Sequence, residues 1–308
     1  MHILVLGSGA GGGIPQWNSN AEACRRARAG DTGCPPRSQS SVALSADGES
    51  WFLLNASPDL RQQIIDNEQL HPRTGFRHSP IAGVVVTNGD IDHVTGLLTM
   101  REGHAFTLWG TGRVMDVLSA NSVFNVLNPE KVARRRFRLD EPFPLTRVDG
   151  TPTGLAVEAF AVPGKVALYL EDATKGANFG TVEEDTVGLK ISQEGGRSVF
   201  YMPACARMTP ELAARLEGAD LVFFDGTLWA DDELVRQGGM PKSGARMGHM
   251  NMSGVGGTLE AFRAIDVTRK IFIHINNSNP VLLPESPERA EVLAAGWAIA
   301  HDGMEIEL

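Results

Sequence analysis

Val84-Val85-Val86-Thr87-Asn88-Gly89-Asp90-Ile91-Asp92-His93-Val94-Thr95-Gly96-Leu97 is the most informative stretch of the 308-residue chain. A β-branched apolar run ends in a polar turn carrying two carboxylates and an imidazole, after which a helical pattern begins. In layered α/β proteins the ends of buried strands are where reactive side chains leave a rigid scaffold. Asp90 and Asp92, two residues apart, can turn the same way, and the adjacent His93 can close on the same ion. Without a cation the paired carboxylates would repel each other, and each charge would be desolvated at a cost. A plainer reading, with Asp90 or Asp92 as a helix N-cap, stays open at this point.

Three later segments repeat the theme. Leu221-Val222-Phe223-Phe224-Asp225-Gly226-Thr227 is an apolar strand ending in a carboxylate. Lys270-Ile271-Phe272-Ile273-His274-Ile275-Asn276-Asn277 puts a histidine at the end of another. Between them, Gly248-His249-Met250-Asn251-Met252-Ser253 places His249 just ahead of an expected helix. Each has a bland reading: Asp225 as a turn residue, His249 and His274 as ordinary core or surface histidines. Taken together, ligand-type residues at the ends of three apolar strands point to a metal centre.

Strands are expected at His2–Leu6, Ser41–Leu44, Trp51–Asn55, Gly83–Thr87, Phe106–Trp109 and Leu155–Val162. Further strands are expected at Val166–Leu170, Thr186–Ile191, Ser198–Met202, Leu221–Phe224, Lys270–His274 and Met304–Glu307. Helices are expected at Pro58–Asn67 (capped by Ser57), His93–Glu102, Gly112–Phe124, Thr209–Leu216, Ala230–Gln237, Ser253–Ile265 and Ser286–Ala295. This mixture fits two sheets with helices packed outside. Ala27–Gln39 reads as a loop, and with no convincing linker the whole of 1–308 reads as a single domain.

Gly7-Ser8-Gly9-Ala10-Gly11-Gly12-Gly13 follows the first strand and invites a dinucleotide-binding reading. That fingerprint needs a helix opening at its last glycine, whereas Ile14-Pro15-Gln16-Trp17-Asn18 comes next, so a loop bordering a site is the better expectation. A net charge of -9 argues against nucleic acid as a partner. No run approaches the roughly 18 apolar residues of a membrane span. The start of the chain lacks signal-peptide character, which sets the expectation of a cytoplasmic protein. Three cysteines, Cys24, Cys34 and Cys205, are too few and odd in number for a disulfide framework.

The order of elements resembles the metallo-β-lactamase superfamily, an αββα sandwich of two mixed β-sheets flanked by helices. Its first motif reads His-x-His-x-Asp-His. Here the six positions are Asn88, Gly89, Asp90, Ile91, Asp92 and His93, so the last two match and both earlier histidines are replaced. Asp225 falls at the bridging aspartate and His274 at the last histidine. The intermediate histidine, expected near Val162-Pro163-Gly164-Lys165, is absent. The resemblance therefore implies that the first metal position is dismantled. It leaves a second made of Asp92, His93, Asp225 and His274, with Asp90 able to reach in. Two imidazoles with carboxylates and open positions suit iron(II) or manganese; zinc is expected to bind in purified protein on affinity alone.

A narrower resemblance covers essentially the whole chain. Gly11-Gly12-Gly13-Ile14-Pro15-Gln16-Trp17-Asn18, the Asn88–His93 run, Phe224-Asp225-Gly226-Thr227, Met247-Gly248-His249-Met250-Asn251 and His274-Ile275-Asn276-Asn277-Ser278-Asn279-Pro280 are similar to the pyrroloquinoline quinone (PQQ) biosynthesis protein B family. This implies a substrate derived from glutamate and tyrosine, with O2 as co-substrate of an iron-dependent oxygenase that hydroxylates the tyrosine ring. In that reading His249 moves a proton or holds a substrate carboxylate, and Asp90 is an extra ligand or a carboxylate beside the metal. A one-metal hydrolase and a non-catalytic carrier of PQQ or its precursor towards the periplasm are the competing readings. Many family members carry a cysteine cluster that binds a structural zinc after Pro-Gln-Trp-Asn. Ser19, Ala21 and Cys24 stand there in this chain, so that zinc is expected to be missing or weakened. A homodimer stays open.

Overall fold

The computed structural model describes residues 1–176, 178–239 and 241–308. Its strands are β1 (His2–Gly7), β2 (Ser41–Ser45), β3 (Trp51–Leu54), β4 (Ile81–Val85), β5 (Phe106–Thr111) and β6 (Val132–Phe137). Then come β7 (Phe143–Thr146), β8 (Pro152–Ala161), β9 (Val187–Gln193), β10 (Ser198–Met202), β11 (Ala219–Asp225), β12 (Val267–Ile273), β13 (Trp297–Ile299) and β14 (Met304–Glu307). Among the described residues they form two seven-stranded sheets, ordered β14-β1-β2-β3-β4-β5-β6 and β13-β12-β11-β10-β9-β8-β7. Both are mixed: β3 to β6 and β10 to β13 run parallel, and the remaining pairs are antiparallel.

Successive side chains on a strand point to opposite faces, so a strand buried on both faces reads as a continuous apolar run. Ile3, Val5, Leu44, Phe52 and Leu54 meet Tyr201, Phe223, Ile271 and Ile273 between the sheets. Their neighbours Leu4, Leu6, Leu53, Val84 and Val86 face the other way, packing with Leu60, Val114 and Leu118 of outer helices. On the second sheet Phe200, Met202, Val222, Phe224 and Phe272 pack outward with Leu212, Leu216 and Val292. The result is the expected αββα sandwich.

Several expectations are corrected. Val166–Leu170 is not a strand; it belongs to the connection between β8 and β9, with a 3₁₀ turn at Leu168–Leu170 whose Leu168 and Tyr169 are exposed. The helix expected from Pro58 begins at Leu60; Ser57 instead accepts from the Asp59 N–H at 3.3 Å. The helix expected over Ser253–Ile265 is only Thr258–Ala261 plus a 3₁₀ turn, preceded by Gly257 rather than by a side-chain cap. Those at His93–Glu102 and Ala230–Gln237 shrink to Ile91–Val94, continued as 3₁₀, and Glu233–Arg236. A helix at Glu22–Arg28 was not expected; its N-terminus has no side-chain cap to announce it. Thr111, Thr209 and Ser286 cap as their residue types suggest. Among the described residues no helix is long and apolar enough to cross a membrane.

Candidate metal centre

The C-terminal ends of parallel strands β4, β11 and β12 open on the same edge, the usual place for a site in such sheets. β4 leads through Thr87-Asn88-Gly89 to Asp90, Asp92 and His93; β11 ends at Asp225; β12 is followed directly by His274. The glycine-rich loop after β1 lies beside them, with no helix opening from it. A side chain at Gly11 would sit 3.5 Å from the Asp92 carboxylate.

Two groups of ligand-type atoms form here, Asp92–His93–His274 and Asp225–His249–His274, each with all its ligand atoms within 4.8 Å of one another. His274 is common to both. Its Nε2 lies 3.0 Å from Asp92 Oδ2 and its Nδ1 2.9 Å from Thr227 Oγ1. His93 Nε2 is 3.8 Å from the same Asp92 oxygen. His249 Nδ1 sits 2.8 Å from Asp225 Oδ2, and its ring stacks on His274 at 5.2 Å. Asp90 lines the same cavity but belongs to neither group.

Hydrogen bonding fixes which nitrogens are free. Asn88 Oδ1 accepts from the Asp90 N–H at 3.0 Å, so it is the acceptor for His93 Nδ1–H at 2.7 Å. That leaves His93 Nε2 unprotonated, buried and without a hydrogen-bond partner. Thr227 donates its hydroxyl proton to Asp225 Oδ1 at 2.7 Å, so it accepts from the Nδ1–H of His274. His274 Nε2 then faces a carboxylate oxygen, an arrangement that requires either a second proton or a cation. A buried polar atom without a partner is costly, and a metal ion satisfies both nitrogens together. The donor set therefore fits a metal.

The charges agree. Burial pushes His93 down to about 4, with Asp92 opposing and His274 and His249 adding to the shift, so it stays neutral and ready to bind. Burial also opposes charge on His274, but the hydrogen bond and charge of Asp92, with Asp225 and Asp90, push its pKa up. Asp92 is held well below the usual carboxylate range: burial opposes this, and His93 and His274 outweigh it. Asp90 is pushed up, first by burial and then by Asp92.

His274 adopts φ 61°, a left-handed conformation that non-glycine residues seldom take. Neighbouring backbone bonds hold it there: Ile275 N–H to Ser8 O at 2.9 Å, Ala10 N–H to Ile275 O at 2.8 Å and Gly226 N–H to Ile273 O at 2.7 Å. The sequence expectation of His274 as a strand residue is thus corrected by one position, and the left-handed turn is what aims the ring at Asp92.

Asn88 and Thr227, which motif reading passed over, hydrogen-bond the rings of His93 and His274. Asn88 stands where the superfamily has its first histidine and now orients His93. The Asn88→Ala protein is expected to bind a divalent metal about 10–100-fold more weakly, as when an outer-shell partner is lost. Competition titration against a chromophoric chelator checks this.

The cavity beside these groups has a volume of about 760 Å³ and is lined on one wall by Gln16, Ser19 and Asn277. Where the resemblance implied cysteines, side-chain hydrogen bonds hold the wall. Ser19 Oγ donates to Asn277 Oδ1 at 2.7 Å, Asn277 Nδ2 to Gln16 Oε1 at 2.6 Å, and Arg28 to the Ser19 carbonyl at 2.7 Å and to the Gln16 carbonyl. Arg28→Ala is expected to raise amide exchange across 16–21 about fivefold or more, a local loss of about 1 kcal/mol, with the global Tm little changed.

Comparison with known proteins follows the same lines. Residues 50–275 match the β-lactamase superfamily domain. The coenzyme PQQ synthesis protein B of Gluconacetobacter diazotrophicus is 56% identical over 305 residues, covering 99% of this chain and 98% of that protein. The crystal structure of Zn(2+)-bound PqqB from Methylobacterium extorquens superposes with a TM-score of 0.94 at 51% identity, covering 100% of both chains. A diphosphatase of the PhnP family, 21% identical, superposes with a TM-score of 0.68 over 100% of this chain and 96% of its own, a likeness of fold alone.

Proposed function

The chain belongs to the coenzyme PQQ synthesis protein B family of the β-lactamase superfamily, and from that premise we propose that it serves PQQ biosynthesis as an iron(II)-dependent oxygenase. Its substrate in this reading is a precursor derived from glutamate and tyrosine, whose phenol ring takes up oxygen. The observation that carries the proposal is the buried His93–Asp92–His274 group, with its unpartnered His93 Nε2, opening on a cavity of dipeptide size. Asp92, His93 and His274 would hold the metal, with Asp225 and His249 as the neighbouring donors. When bound, iron(II) would supply the activation of O2, chemistry that suits a two-histidine-plus-carboxylate set with open positions. Zinc, which the Methylobacterium extorquens relative carries, is favoured over iron on affinity alone.

The chain's own residues do the rest. Asn88 and Thr227 fix the tautomers of His93 and His274. His249, with Nδ1 held by Asp225, is placed at the cavity wall to move a proton to or from the substrate. Asp90, which lines the same cavity, is the extra carboxylate beside the metal in this proposal. Cys24 carries no structural zinc in this proposal; a zinc that survives chelation and is lost in Cys24→Ser would refute that part.

The test is mass spectrometry of a glutamate–tyrosine dipeptide incubated with anaerobically iron-loaded protein, then O2 and a reductant. One oxygen atom is expected to enter the ring while the other leaves as water, with the reductant supplying two electrons. An unchanged dipeptide, with iron shown to be bound, overturns this substrate. A carrier instead predicts that Asp92→Ala leaves PQQ production intact in cells. A one-metal hydrolase predicts turnover of simple esters or amides without O2.

A further inference from the structure

The cavity wall away from the metal groups carries a separate constellation. Lys165, Lys242 and Arg246 line it together with a single carboxylate, Glu171. Arg246 grips Glu171 with both terminal nitrogens, at 3.0 and 2.6 Å, and Lys165 Nζ lies 3.7 Å from the same carboxylate. Lys242 makes no ion pair among the described residues. One face of the Arg246 guanidinium is covered by the Phe179 ring at 3.8 Å. Two cations thus meet on one protein carboxylate, with Lys242 lining the same cavity that His249 and His274 also line.

The two partners are built differently. Arg246 sits in the short helix Gly244–Met247, capped by Ser243 and tied to Asp231 through the Ala245 N–H at 2.7 Å. His249 is tied to the same helix, its N–H donating to Gly244 O at 2.9 Å. The helix that carries Arg246 is therefore held by backbone contacts that do not involve Glu171. Glu171 follows a 3₁₀ turn, Leu168–Leu170, that has no buried residue, within the long connection between β8 and β9.

We infer that this corner is the substrate's carboxylate subsite and that Glu171 is a stand-in carboxylate, which an incoming carboxylate displaces from Arg246 while Lys165 and Lys242 flank the new ion pair. The planar fork of arginine matches a carboxylate in two parallel hydrogen bonds, so Glu171 and a ligand carboxylate compete for one geometry. The inference rests on the proposed function only for the identity of the ligand, the glutamate end of the precursor. The subsite itself is read from the Glu171 carboxylate that the arginine fork already holds.

Glutarate, which has the two carboxylates and no phenol, is the probe, titrated calorimetrically into the metal-loaded full-length protein; the neutral glutaramide is its control. Arg246→Gln is expected to weaken glutarate about tenfold or more, the loss of a bidentate charged contact. Arg246→Lys, which keeps the charge and loses the fork, is expected to fall between the two. Glu171→Gln should tighten binding about three- to tenfold, because the competing internal carboxylate is gone. A structural clip predicts the reverse for Glu171→Gln. Weaker binding in that variant, an Arg246→Gln affinity equal to that of the parent, or equal binding of glutaramide would each overturn the inference. Because this readout involves no O2 and no turnover, the expected glutarate pattern with an unchanged dipeptide would refute oxygenation of that dipeptide alone. Ring oxygenation without the glutarate pattern would refute the subsite alone.

Discussion

His274→Ala protein is expected to lose metal binding, and with it the proposed ring oxygenation, while remaining folded. His274 is the member shared by both ligand-type groups, so its loss leaves Asp92–His93 on one side and Asp225–His249 on the other with no common donor. Metal affinity should fall by more than about 100-fold, beyond the roughly 10–100-fold lost with an outer partner. Metal content after dialysis against a weak chelator reads the loss directly, and dipeptide turnover should drop to background. A second variant separates chemistry from folding. At φ 61° an alanine keeps the backbone strain and a glycine relieves it. Metal-free His274→Gly should therefore be about 1 kcal/mol more stable than His274→Ala, and just as inactive. A His274→Ala protein that retains stoichiometric metal through dialysis would remove His274 from the centre.

The layers were legible in the sequence because both faces of the central strands are buried, so their apolar runs are continuous and bounded by turns. The strands that escaped notice are edge strands. β6 closes one sheet, and its Ala-Arg-Arg-Arg segment carries no apolar pattern because much of that strand is exposed. β7 and β13 close the two ends of the other, one four residues long and containing Pro144, the other only three. The opposite error, a strand at Val166–Leu170, came from reading apolar residues as buried when Leu168 and Tyr169 are exposed near the cavity.

The site divides along similar lines. Asp92, His93, Asp225 and His274 were visible because each ends or follows an apolar segment, and His249 because it stands just ahead of an expected helix. Thr227 and Asn88 were not singled out, since their roles depend on which nitrogen of a neighbouring histidine they touch. Lys165, Glu171 and Arg246 come together only through the folded β8–β9 connection. No spacing in the chain links residue 171 to residue 246.

Asp302→Ala is expected to cost about 3–5 kcal/mol, the range for breaking a buried charge arrangement by removing one member. One carboxylate here accepts four hydrogen bonds: from the Ser8 N–H and hydroxyl at 2.9 and 2.7 Å, and from the Ser38 N–H and hydroxyl at 2.6 and 2.8 Å. Burial pushes the Asp302 carboxyl up, and these donors oppose that shift. Beside it lies Arg37, itself buried, donating to Ser8 Oγ at 3.1 Å and to the Ala300 carbonyl. Burial lowers the Arg37 pKa and the charge of Asp302 counters it. Alanine would thus leave two backbone donors unsatisfied and one buried cation uncompensated, and Tm should fall by roughly 5–8 °C for a chain of this length. The Asp302→Asn side chain would accept through one oxygen while turning its NH2 group toward two donors, so that variant should lie between. Adding Arg37→Met to Asp302→Ala should recover part of the loss, because the stranded charge is removed with its partner. The consequence reaches the metal centre. Ser8 O accepts from Ile275, and Ala10 donates back to Ile275, so the loop pinned by Asp302 is the same one that holds His274 in its left-handed turn. Asp302→Ala should therefore also release metal faster than the parent at a temperature where both are folded. A Tm within about 2 °C of the parent, or loss of stability with unchanged metal release, would break the proposed link between this clip and the site.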